Sequence, residues 1–169
     1  MILALLFGSR TMKSALCLLL ALVTVPALAV DMTPMAEPEA AVPVDKLATA
    51  RSHVKAKRWP DALAELKRLN DSGNADWNNL MGFALRKQAT PDLAGAERHY
   101  DAALRIAPAH RGALEYSGEL LLMKADLPRA EQRLATLARA CASACEEYAD
   151  LKRAVDRYKA AGNKFVSTP

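Results

Sequence analysis

From Val44 to Tyr158 apolar residues recur in steps of three and four, the spacing that places side chains on one face of an α-helix. Trp77, Leu80, Met81, Ala84 and Leu85 share one such face, and Leu114, Gly118, Leu121, Leu122 and Ala125 share another. The strict alternation of a half-buried strand is absent, β-branched residues are few, and alanine dominates. Breakers arrive at short intervals: Pro60, "NDSGN" at 70–74, Pro91, Pro108 and Pro128. Helices of about 12–15 residues fit between them. "TPDL" at 90–93 reads as a helix start, with Thr90 as the cap and Pro91 in the first turn, where a missing N–H is harmless. The pattern predicts an all-α fold.

The helices repeat. Ala62, Ala96 and Ala130 are spaced by 34 residues, and so are Leu66, Tyr100 and Leu134, then Leu69, Ala103 and Leu137, and upstream Trp59, Leu93 and Leu127. "PDALAELKRL", "AGAERHYDAALRIAP" and "PRAEQRLATLARA" are thus three versions of one helix. Each follows a helix with a small residue at its centre, Ala50, Gly82 or Gly118, where two backbones are expected to approach closely. "CEEYADLKRAVDRYK" then places Tyr148, Leu151, Val155 and Tyr158 at helical spacing opposite its charges, as a helix capping the array would.

With "WNNLMGFAL", "AERHYDAALRIAP" and "ALEYSGELLLMKADLPRAEQRL", residues 45–142 resemble the tetratricopeptide repeat family. The second repeat matches best, including Pro108 at the end of its second helix; in the first, His53 stands for a large aromatic and "NDSGN" for the closing proline. Two extra residues between Gly82 and Ala96 fall in the turn "KQATPDLAG". The resemblance implies a right-handed α-solenoid of about three hairpins plus a cap from about residue 145. It also implies a concave groove, lined by the first helix of each pair, that binds a protein or peptide. On the face turned away from the second helix lie Arg51 and Lys55, then Asn79, Phe83 and Arg86, then Glu115, Glu119 and Leu122.

Upstream, the pattern changes. Lys13 precedes an apolar run from Ala15 to Val25, broken by Pro26 and followed by Ala27-Leu28-Ala29. A basic start, a core of this length and an A-x-A ending describe a signal peptide cut after Ala29. The run is too interrupted for a span of roughly 20 apolar residues, so no stable membrane anchor is expected after cleavage. Met12 opens a complete leader by itself, which leaves the start between Met1 and Met12 open. Residues 30–44, with Pro34, Pro38 and Pro43, read as a flexible tether, and 161–169 as a frayed tail.

Cleavage leaves one domain of modest size in a periplasmic or secreted setting. Arg10 and Lys13 leave with the leader, so the net charge falls from +4 to +2 and no electrostatic case for nucleic acid remains. Candidate chemistry is sparse. Phosphate-cradling glycine loops, G-x-S-x-G and H-E-x-x-H are all missing, His53, His99 and His110 sit in different repeats, and His99 is expected on a helix surface. The sequence therefore predicts neither enzymatic activity nor a cofactor, but a monomeric or weakly self-associating scaffold. Cys17 leaves with the leader, so the mature chain keeps Cys141 and Cys145. They fall at a helix-to-helix corner, where a bend at 142–144 brings them within range of a structural disulfide. A redox-active dithiol and a two-coordinate copper(I) site stand as the alternatives, and with them a thiol-redox or copper-handling role for the protein.

Overall fold

The computed structural model describes residues 44–141 and 145–166. The leader and nearly all of the tether lie outside the described residues. Contacts divide the chain between Ala41 and Val42, and all described residues belong to the second unit. They form seven α-helices: α1 Ala48–Lys55, α2 Trp59–Leu69, α3 Ala75–Lys87, α4 Leu93–Ile106, α5 Arg111–Met123, α6 Leu127–Ala140 and α7 Glu146–Ala160. No strand is present among the described residues, and none of these helices is long and apolar enough to cross a membrane.

Local chemistry sets the boundaries. Pro60 and Pro128 sit in the first turns of α2 and α6, which need no N–H there. Asn70 closes α2 in the left-handed conformation (φ 47°), and Asn74, four residues later, caps α3 by accepting the Trp77 N–H at 3.2 Å. At α4 the expectation is corrected. Asp92, not Thr90, is the cap, because its Oδ1 reaches the Gly95 N–H at 2.8 Å while Pro91 stays outside the helix. A carboxylate at this position also meets the positive end of the helix dipole. At 8 and 11 residues, α1 and α2 fall short of the expected length.

Consecutive helices pack as pairs, α1 with α2, α3 with α4, α5 with α6. The odd-numbered helices also meet one another in order, α1 with α3, α3 with α5, α5 with α7, whereas α4 and α6 touch through long side chains, in the ion pairs Glu97–Arg129 and Asp101–Arg133. The apolar interior runs along this row. Leu47, Ala50, Leu63, Leu66, Trp77 and Met81 form its first section. Ala96, Tyr100 and Leu120 continue it, and Leu114, Leu121, Leu122, Leu137, Leu151 and Tyr158 complete it.

The two central glycines work differently from the expectation of touching backbones. A Cβ on Gly82 would lie 2.8 Å from the Tyr100 ring, and one on Gly118 would lie 2.6 Å from both methyls of Leu151. Each glycine is a socket for a large side chain. For Gly118 that side chain comes from the capping helix α7 rather than from its paired helix α6. The cap is therefore keyed into the row, with Leu151, Val155 and Tyr158 buried beneath it.

At the α6–α7 corner the two sulfur atoms are 2.03 Å apart, the distance of a disulfide, with the Cα atoms 5.5 Å apart. Cys141 ends α6 and Cys145 caps α7, its Sγ accepting the Tyr148 N–H at 3.4 Å. The chain leaves α7 through Gly162 (φ 66°) and Asn163 (φ 62°). The Asn163 N–H returns to the Tyr158 carbonyl at 2.9 Å, which turns residues 164–166 back toward α7; 167–169 lie outside the described residues.

Candidate functional site

A line of polar groups ties the odd helices together near their N-termini. Asp76 of α3 accepts from the Arg51 guanidinium of α1 at 3.1 Å and from His110 Nε2 of α5 at 2.9 Å. His110 Nδ1 caps α5 by accepting the Ala113 N–H, so the proton of the neutral ring resides on Nε2 and points at Asp76. Burial opposes ionisation of Asp76, but the bonds from His110 and Arg51 outweigh it and hold the carboxyl below its ordinary range. Arg51 is engaged in this line and with Asp45, and Lys55 is exposed on α1.

Further along the same helices an aromatic and ionic cluster forms. The Phe83 ring is edge-on to Trp59 at 5.8 Å and tilted against Tyr116 at 4.6 Å. The Arg86 guanidinium lies over both Phe83 (5.6 Å) and Tyr116 (5.7 Å), and its Nη1 donates to Glu119 Oε2 at 2.8 Å. Its Nε and Nη2 have no hydrogen-bond partner, as does the buried hydroxyl of neighbouring Tyr100. Ring faces thus replace part of the hydration that Arg86 gives up on burial.

The expected groove residues divide by register. Asn79 and Glu115 stand three residues before the central glycine of their helix, and Arg86 and Leu122 four after it. All four are buried, between 1% and 9% exposed. Leu122 belongs to the core, so its placement in an open groove is corrected. Arg86 fills the matching core position with a charge. Phe83 and Glu119, one residue after the glycine, are half-buried and form the accessible part of this stretch. The reason is geometric: α3 and α5 are each flanked by two odd helices and two even ones, so the face left over is narrower than helical phase suggests.

Glu115 has no ion-pair partner among the described residues. Burial, then Glu119 and Glu147, push its carboxyl up to about 8, which favours the protonated form far above the ordinary carboxylate range. Burial followed by the charges of Glu115 and Glu119 raises Tyr116 to about 12. His99, expected on the surface, is half-buried. Its Nδ1 is 3.1 Å from Asn78 Oδ1 and its ring packs edge-on against Trp77, and burial lowers its pKa.

Sequence reasoning missed Tyr116, Lys87 and the packing of Trp59 against Phe83. Lys87 sits next to Arg86 with its Nζ 5.7 Å from the Phe83 centroid. The one available signal was Trp59 itself, whose counterparts Leu93 and Leu127 are smaller; an aromatic at that position needs an aromatic neighbour to cover it. No family model, no curated protein and no solved structure matches this chain.

Proposed function

We propose that this chain is an exported tetratricopeptide-like α-solenoid of three hairpins and a capping helix, and that it acts without catalysis as a scaffold holding a protein or peptide partner. The observation that carries the reading is the half-buried strip of Phe83, Tyr116 and Glu119 along consecutive odd helices, with Trp59 and Arg86 beneath and beside it. Aromatic side chains flanked by charge, held rigid by packing, are what a binding surface needs to gain energy without ordering itself first. The ordered contacts of α1, α3, α5 and α7 and the 34-residue separation of the bonded pair Asp76 and His110 support the solenoid. The leader supports export, and the bonded state of Cys141 and Cys145 fits an oxidising compartment.

The test is capture from a periplasmic fraction by the chain beginning at Val30, in parallel with its Phe83→Ala variant. Phe83 is only half-buried, so the variant should melt within a few degrees of the parent. The expected result is a partner retained by the parent and lost by the variant. Equal capture by both, or nothing above the control, would overturn the scaffold reading. N-terminal sequencing of the exported protein checks cleavage before Val30; a terminus at Met1 or Met12 would remove the export premise.

A further inference from the structure

Where α3, α5 and α7 converge there is a cavity of about 130 Å³, walled by Met123, Tyr158, Phe165 and Val166 and rimmed by Lys87 and Arg157. The reversal at Gly162–Asn163 is what brings Phe165 and Val166 to it. Both remain large exposed apolar residues there, at 42% and 52%. The volume is close to that of the engineered ~150 Å³ cavities that accept a benzene ring, so one leucine- or phenylalanine-sized side chain fits.

The charge balance selects what surrounds that side chain. Arg86 also reaches the cavity, but its charge is matched by Glu119. Lys87 and Arg157 have no salt-bridge partner among the described residues, which leaves two unmatched cations at the mouth of an apolar pocket. Burial, and then Arg86 beside it, depress the Lys87 pKa, and an incoming carboxylate would relieve both effects.

We infer that this pocket is the anchor point of the partner-binding surface, and that it takes a peptide segment carrying one large apolar side chain flanked by acidic residues. The inference rests on the scaffold reading of the preceding section and specifies its ligand. The apolar side chain fills the cavity between Met123 and Tyr158, and the flanking carboxylates meet Lys87 and Arg157 at the rim. This is the arrangement of a buried anchor inside a polar rim that concentrates binding energy in few residues. The flanking charges add selectivity by rejecting basic segments.

The test uses fluorescein-labelled, end-blocked octapeptides with one central leucine, flanked on both sides by glutamate or by lysine in a glycine–serine background. Their binding to the chain beginning at Val30 is read by fluorescence anisotropy at low ionic strength. The glutamate-flanked peptide should bind at least about tenfold more tightly than the lysine-flanked one, and replacing its leucine by glycine should abolish binding. The double variant Lys87→Glu/Arg157→Glu, checked for an unchanged helical spectrum and melt, should invert the preference. The neutral Lys87→Gln/Arg157→Gln variant should erase it, which guards against a fold defect in the charge-reversed protein. Equal binding of the two peptides, binding of neither, or a preference that survives charge reversal would overturn the inference. If a periplasmic partner is still captured by the charge-reversed protein, the scaffold reading stands and only the pocket assignment falls.

Discussion

The helices α4 and α6 carry charge differently from α3 and α5. On α4 and α6 each ion pair keeps at least one well-exposed partner. Glu97 pairs with Lys124 and with Arg129, and Asp101 pairs with Arg133 across to α6. Lys124 and Arg129 hold the Glu97 carboxyl below its usual range, yet both cations stay well exposed. On α3 and α5 the same chemistry is taken inside: Arg86 is 5% exposed and Glu115 8%. α6 buries only Ala130 and Leu137, whereas α3 and α5 bury eight residues each, polar ones included. An exposed pair in water contributes under about 1 kcal/mol. A buried one is costly to form and costlier to break, because the abandoned charge cannot recover its hydration. On α3 and α5 polar groups are thus buried at a cost to folding that the exposed pairs of α4 and α6 avoid.

The largest effect expected from breaking this contrast is at Arg86. Arg86→Ala removes the partner of Glu119 and the cation between two rings, and should destabilise by about 3 kcal/mol. Denaturant unfolding measures it. A loss below about 1 kcal/mol would mean that the odd row is no more demanding than the outer face.

Gly118→Leu comes next. Its Cβ would enter the space held by the Leu151 methyls at 2.6 Å, so the buried Leu151 side chain or α7 itself must shift, at about 1–3 kcal/mol despite leucine's better helix propensity. Gly73→Ala is the control, since nothing lies within 4 Å of that position. Equal thermal melts for the two variants would show that α7 is not keyed into α5.

A pH series sharpens the comparison further. The Glu115 carboxyl rises from 4.5 to about 8 on folding. Between those values the unfolded chain has released a proton that the folded chain keeps, so this residue's contribution falls as pH rises from about 4.5 to about 8. His99, whose pKa is lowered, slopes the other way near its own range, so the difference between parent and Glu115→Gln isolates Glu115. The variant should gain on the parent steadily across that window. Parallel melting curves would place Glu115 in water.

The smallest change belongs to the outer face. Arg129→Ala should cost less than about 1 kcal/mol, and added salt should shrink that further. The double variant with Arg86→Ala should be additive if the two faces are independent.

Helical period and breakers determined that the described residues are all-α, and that Leu151, Val155 and Tyr158 share the buried face of α7. These are local properties: an apolar stripe and a proline act on the residues beside them. Even the position of the cysteine pair at a helix corner was legible, since Cys141 and Cys145 flank a short break in the pattern. Tertiary structure alone decided how much of each odd helix stays open. Two helices packed on either side of α3 turned Asn79 and Arg86 inward, and the same register turned Glu115 and Leu122 inward on α5. It also brought Lys87 to one cavity with Arg157 and the returning tail, although Lys87 is far from both in the chain. A period can say which residues share a face. How many neighbours press on that face depends on the whole array, and so does the burial of an arginine and a glutamate that helical phase alone would leave in water.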